Sequence, residues 1–208
     1  MIILLILIIL SYLAGSIPSG VWVGRMVGGI DIRAHGSGNP GATNVARVLG
    51  APWGILVGVI DAFKGFAPVW WLGPIAASNG TLAVSDARLL IGAAAILGHL
   101  YPLFAGFRGG KGVLTALGVF VALLPVESAV AALVWIVVFA ASRIVSLGSL
   151  AASLALLAAV VVRRLVFHIP IPNSLMVAAI AIAALVFLTH RANIRRLLNG
   201  TESRFGRR

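Results

Sequence analysis

The sequence predicts an all-α integral membrane protein of seven transmembrane helices, with its N-terminus outside, its C-terminus cytoplasmic and its motif loops gathered on the cytoplasmic face. Three observations lead there. Of the 208 residues, 61% are hydrophobic and 10% charged, whereas a water-facing globule carries about 25% charged residues. Apolar windows nearly free of charge follow one another at lengths that suit helices of about 20 residues. The remaining charge is lopsided, 16 Lys and Arg against 5 Asp and Glu, and basic residues collect in cytoplasmic loops for reasons of topology. In a soluble chain that balance would suggest nucleic acid; here the bilayer accounts for it, and no nucleic-acid partner is expected. The sequence contains no cysteine, which removes disulfides, thiol catalysis and thiolate metal sites. The length suits one membrane domain, residues 1–208.

Residues 1–24 carry no charge and end at Arg25. They lack the basic start and short apolar core of a cleaved leader, so they are read as the first span. The second, 52–76, places Asp61 and Lys64 inside the membrane, three residues apart on one helical face where they can neutralise each other. After a polar stretch at Ser78–Arg88 comes 88–104. Two short windows, 111–125 and 127–142, are read as helices turning about Leu124–Ser128. Span 147–167 stops toward His168–Asn173, where two prolines end it, and 173–189 is the last. Parity then assigns 25–51, 105–112, 143–148 and the tail from His190 to the cytoplasm. These segments hold Arg25, Arg33, Arg47, Arg108, Lys111, Arg143, Arg191, Arg195, Arg196, Arg204, Arg207 and Arg208. Arg88, Arg163 and Arg164 fall outside, and the last two are read as snorkelling to the interface. His99 and His168 are read as satisfying local hydrogen bonds.

Polar and glycine-rich sequence concentrates on the cytoplasmic side. His35–Arg47 offers Ser37, Asn39, Thr43 and Asn44 as neutral hydrogen-bonding groups. Gly38 lets backbone approach a ligand, and Arg47 is a bidentate partner for an anion; a turn-rich connector would have similar composition. Gly106–Gly112 opens a helix with Gly109, Gly110 and Gly112 stacked beside Arg108 and Lys111, which suits an anion by geometry and dipole. It is not a nucleoside-triphosphate loop, because Ala105 and Gly112 stand where Gly and Ser or Thr are needed. An ordinary basic loop is the competing reading. In the segment His190–Glu202, the spacing puts His190, Asn193 and Leu197 on one helical face and Arg195 and Arg196 elsewhere, so one face can meet a site and the other anionic lipid. The turn Ser142–Ser149 adds the hydroxyls of Ser146 and Ser149.

These residues resemble a known family. Ser37–Asn44, Gly109–Gly112 and His190–Glu202 are similar to the three signature motifs of the bacterial membrane glycerol-3-phosphate acyltransferases that use acyl phosphate, the PlsY family. The likeness extends over nearly the whole chain, including Asp61–Gly65 and Arg143–Ser149; Ile144 stands where an aromatic is often found. The resemblance implies transfer of a fatty acyl group from acyl phosphate to the 1-hydroxyl of sn-glycerol 3-phosphate. The products would be lysophosphatidic acid and inorganic phosphate, the first acylation of phospholipid synthesis, made in the bacterial inner membrane without cofactor or metal. Ser37, Lys111, His190 and Asn193 are then the catalytic candidates. Gly38, Asn39, Thr43, Asn44, Arg47, Arg108, Gly109, Gly110, Gly112, Ser146, Ser149 and Glu202 would bind substrate. The basic face would be a docking surface for a soluble enzyme that makes acyl phosphate.

The residue inventory is consistent with that chemistry. Both substrates carry phosphate and the donor is already activated, so the protein has chiefly to position two anions and stabilise charge. The proton acceptor is either His190 or a phosphate oxygen of the substrate. None of the four histidines is followed five positions later by Asp, as in the other large class of glycerolipid acyltransferases; Pro40, Phe104, Asn173 and Arg195 stand there. A small transporter for a phosphorylated solute is the alternative, suggested by Asp61, Lys64 and glycine-broken helices. A CDP-alcohol phosphatidyltransferase would need clustered aspartates, and Asp31, Asp61 and Asp86 are scattered.

Overall fold

The computed structural model describes residues 2–78 and 82–206. Part of the Ser78–Arg88 stretch, and Arg207 and Arg208, therefore lie outside the described residues. The chain forms two compact units, Met1–Leu123 and Leu124–Arg208, and among the described residues every regular element is helical.

The first unit contains α1 (Ile2–Gly15), α2 (Ser19–Gly28), α3 (Ala42–Leu49), α4 (Ala51–Ala77), α5 (Val84–Leu100) and α6 (Val113–Leu123). The uncharged run at the N-terminus is interrupted at Ser16–Pro18, because proline lacks the N–H that would continue the ladder. Lys64 of α4 takes up the break: its ammonium donates to the Ile17 carbonyl at 2.8 Å. Helix α4 packs against α5 and α6, and α1 against α5. The α4–α6 crossing is tight, since Gly65 lies against the Thr115 backbone and Gly118 against that of Ala62, with no room for a side chain. A buried cluster of Val21, Val23, Ile32, Val45 and Val57 clamps the loop after α2 between α2, α3 and α4.

The second unit contains α7 (Pro125–Ser142), α8 (Val145–Leu165), α9 (Asn173–Thr189) and α10 (Arg191–Leu198). Pro125 occupies the first turn of α7 and Glu127 follows it, favourable for an N-terminus whose amides are unsatisfied. Helices α7 and α8 form an antiparallel hairpin about Arg143, whose φ of 60° closes α7 in the left-handed region. At the hairpin's other end Arg163 pairs with Glu127 at 2.7 Å. Arg163 is thus the counter-ion of a buried carboxylate, where the sequence suggested only snorkelling.

Each apolar window expected from the sequence contains a helix, with ends displaced by a few residues. Among the described residues five segments are long and apolar enough to cross a bilayer: Ile2–Gly28, Ala51–Ala77, Val84–Ala105, Pro125–Ser142 and Val145–Leu165. Helices α9 and α10, bent by 62°, make a sixth if taken as one span. Helix α6, with 11 residues, rises only about 16 Å, roughly half a hydrocarbon core. Large apolar side chains such as Ile2, Leu5, Phe63, Trp71, Leu133 and Val177 are exposed, as suits surfaces that face lipid.

Candidate functional site

In the first unit the two motif loops are built around buried polar groups. Asn44, 1% exposed, donates to the carbonyls of Ile32 at 3.1 Å and His35 at 2.9 Å, and accepts the Ser37 N–H at 2.8 Å. Its amide is committed to shaping the loop that displays Ser37, which is exposed. Gly38 there adopts φ +73°, beyond easy reach of a side-chain-bearing residue, and Asn39 caps the Gly41 N–H at 2.9 Å. Asp31 caps the short 3-10 turn Ile32–Ala34 and pairs with Arg33 at 2.7 Å. The Arg33 hydrogen bonds hold the Asp31 carboxyl down at about 2. Arg33 also donates to the Ala105 carbonyl at 2.9 Å, tying the first motif loop to the second.

The second loop runs from Gly106 to Gly112 into the N-terminus of α6. Gly112, at φ +79°, directs the chain into the helix, so that the first amides of α6, from Val113, lie close after Lys111 in the chain. Pro40, Arg108, Gly109 and Gly110 line a small, open cleft. Its floor is Ser19, Asp61, Lys64 and His99. Asp61 accepts from Ser19 at 2.6 Å and pairs with Lys64 at 2.8 Å; His99 Nδ1 stands 3.6 Å from the same oxygen. The Asp61–Lys64 pair expected from their spacing is therefore present, at the floor of a cleft walled by the glycine loop.

In the second unit Ser146 and Ser149 lie one turn apart at the start of α8, both buried. The Ser149 hydroxyl donates to the Val145 carbonyl at 3.0 Å. Glu202 gathers the rest: one oxygen accepts from Ser146 and from Asn193, each at 2.6 Å, and the other accepts from Arg196 at 2.6 Å. Burial alone would raise the Glu202 pKa; the hydrogen bonds from Ser146, Asn193 and Arg196 outweigh it and hold the carboxyl below its usual range. His190 and Asn193 are buried and Leu197 half-buried, while Arg191, Arg195 and Arg196 are exposed. The face read from their spacing is the face that turns inward. His190 Nδ1 lies 2.8 Å from the Val186 carbonyl; a carbonyl only accepts, so Nδ1 carries a hydrogen.

The profile of the family described as glycerol-3-phosphate acyltransferase matches residues 5–200. The chain belongs to the glycerol-3-phosphate acyltransferase family. It is 43% identical over 210 residues to the glycerol-3-phosphate acyltransferase of Salinibacter ruber, covering 96% of this chain and 91% of that protein. Among solved structures it resembles PlsY, an integral membrane glycerol 3-phosphate acyltransferase, in its glycerol 3-phosphate form, with a TM-score of 0.85 and 41% identity over 98% of this chain and 96% of the other. The lysophosphatidic acid form of the same enzyme matches with a TM-score of 0.82, at 41% identity over 98% and 95% of the two chains. The chain is thus an acyltransferase and a multi-pass bacterial membrane protein.

In this acyltransferase some of the sequence-predicted residues are brought together in two groups. Arg108, Gly109 and Gly110 meet at the cleft of the first unit, beside Pro40, which the sequence did not single out; Ser146, Asn193 and Glu202 meet in the second. Ser37, Arg47 and Lys111 do not line that cleft. Sequence reasoning missed two placements. Asn44 spends its amide on the backbone, and the signal for that was its position in the first turn of a helix after a glycine-rich loop, where short polar side chains habitually bond backbone. His99 stands beside Asp61 although 38 positions separate them; its nearness to the glycine loop in sequence was the available signal.

Proposed function

We propose that this acyltransferase moves a fatty acyl group from acyl phosphate to the 1-hydroxyl of sn-glycerol 3-phosphate, yielding lysophosphatidic acid and inorganic phosphate. The observation that supports the reading is the open cleft of the first unit, where Arg108 and the backbone of Gly109 and Gly110 meet above the Asp61–Lys64 pair. Membership of the family gives the acceptor its name. A donor that is also an anion matches the surplus of basic residues at the motifs and the good leaving group that phosphate makes.

Lys111, Arg47, Ser37 and the amides of Gly109–Gly112 hold the phosphates, with Gly38 and Arg108 beside them. Asn39, Thr43, Ser146, Ser149, His190 and Asn193 orient acceptor and donor, while Asn44 and Glu202 fix the groups that do so. The acceptor oxygen forms its bond to the acyl carbon as the carbon–oxygen bond to phosphate breaks, and the hydroxyl proton passes to a substrate phosphate oxygen. Electrostatic positioning supplies the rate, since little is asked of the protein beyond alignment and charge. The same reading places residues 1–208 in the bacterial inner membrane as one acyltransferase with seven spans, its N-terminus outside and the motif loops cytoplasmic. A soluble enzyme that makes acyl phosphate would deliver its product at that basic face.

Purified protein given labelled glycerol 3-phosphate with acyl phosphate, acyl-CoA or an acyl carrier protein donor should form product with acyl phosphate alone. Preference for either thioester would refute the donor. A His190→Ala enzyme should keep its maximal turnover and lose affinity; loss of a titrating group from the pH profile would instead make His190 the base.

A further inference from the structure

His99, in the last turn of α5, is buried between two features that the sequence does not connect. On one side Nδ1 faces Asp61 Oδ1 at 3.6 Å and has no hydrogen-bond partner among the described residues. On the other side its ring fills the space above Gly110, where a Cβ would collide with Nε2. The His99 carbonyl accepts the Gly110 N–H at 3.3 Å, and a side chain at Gly109 would strike the same carbonyl. Asp61 is itself fixed by Lys64 and Ser19, and Lys64 is fixed by the Ile17 carbonyl. A continuous line of contacts therefore leads from the break between α1 and α2, through a buried ion pair, to the backbone of the glycine loop.

We infer that His99 is a positioning residue of the acyl transfer, a wedge braced by Asp61 that sets the Gly109–Gly110 backbone at the height from which it meets substrate phosphate. The inference rests on the reading that this loop holds a phosphate. Its ring acts through volume on one side and through a polar edge on the other. The imidazole stands where glycine leaves room, so a methyl group added at 110 and the ring at 99 compete for the same space. The unpartnered Nδ1 looks toward the carboxylate, so a polar atom at that edge is what keeps the wedge from swinging. A loop held at the wrong height binds phosphate weakly in ground state and transition state alike, which raises KM and spares kcat.

The test is a double-mutant cycle in purified full-length protein, with KM and kcat measured for both substrates and thermal unfolding followed in parallel. Gly110→Ala and His99→Ala should each raise the KM of one phosphate substrate about tenfold, with kcat changed by less than about threefold. The double variant places the new methyl in the vacated space and should bind better than Gly110→Ala alone. Effects that simply multiply, to about a hundredfold, would overturn the wedge. His99→Gln, closer to the imidazole in volume, keeps a polar atom toward Asp61 and should stay within about threefold of the parent, whereas His99→Phe, which keeps the volume alone, should not. A His99→Phe enzyme with parental KM would overturn the bracing by Asp61. Should His99→Ala fail to fold, Gly110→Ala paired with His99→Asn, the smaller side chain, gives the same cycle. Loss of a titrating limb from the kcat profile would make His99 a base and overturn the positioning role. Coupling between 99 and 110 without a change in KM for either substrate would leave the wedge standing and remove the loop from phosphate binding.

Discussion

Asp61 and Glu202 are both nearly buried carboxylates that gather several donors, yet they are held in different ways. Asp61 lies within α4, and its full countercharge comes from the same helix, three residues on, with a hydroxyl from α2 added. Glu202 lies on the tail after α10 and draws two neutral donors, from α8 and α10, before a single exposed arginine. The difference follows from surroundings. Inside an apolar span an unpaired charge is prohibitive, so the partner must be fixed and ionic; near the surface, charge is screened and directional hydrogen bonds can do the holding. One carboxylate secures the fold, and the other secures two side chains.

The contrast is sharpest when each acid is removed. Asp61→Ala leaves Lys64 buried without its charge partner and should cost about 3 to 5 kcal/mol, read as a large drop in the unfolding temperature in detergent. Asp61→Ala combined with Lys64→Met should recover most of that loss; a single variant as stable as the parent would break the comparison. Glu202→Ala frees Ser146 and Asn193 from their shared acceptor and should lower kcat/KM roughly 30-fold, about 2 kcal/mol, with a smaller change in unfolding temperature. A stability loss equal to that of Asp61→Ala would place Glu202 in the first class instead.

A third acid sharpens the point from the other side. Glu127 pairs with Arg163 at the end of the hairpin remote from the Ser142–Val145 turn, and its second oxygen has no partner among the described residues. Arg163→Ala should lower stability by about 1 to 2 kcal/mol, since the arginine is one-third exposed. Turnover should remain within about twofold. The smallest effect is a pH dependence. Because the Glu202 pKa is lower in the folded state than in the unfolded chain, its contribution is complete above the unfolded value, near 4.5, and lost as pH falls through the folded one. Hydrogen-exchange protection of residues 199–206 should hold from pH 7 to about 4.5 and decay below it, and Glu202→Gln should abolish the dependence.

Much of this was legible in the sequence because bilayers punish ambiguity. Apolar windows located the helices, and the three- and four-residue spacing of His190, Asn193 and Leu197 gave the buried face of α10. Spacing also gave the Asp61–Lys64 pair, since both partners sit on one helix. What stayed hidden depended on which helices cross. Glu127 and Arg163 are 36 residues apart and meet only because α7 and α8, of 18 and 21 residues, fold back on each other. His99 reaches Asp61 only through the α4–α5 contact. Composition could not show that Asn44 and Glu202 spend their polar atoms inside the protein, because an amide that shapes a loop and one that binds a ligand are the same residue type. Nor did the window 111–125 reveal that its helix would stop at 11 residues. The glycine loop on one side and Pro125 on the other each take their share of the chain.

The single hydrogen bond from Arg33 to the Ala105 carbonyl has a practical use. Two stretches that lie 72 positions apart are yoked by a rigid, planar side chain that Asp31 grips from behind. A shift of the second stretch should pull on the first through this bond, so a reporter dye attached at the exposed Ala34 should register events at Gly109–Gly110 without touching them. Cutting the yoke with Arg33→Leu would silence the dye and give that signal its own control.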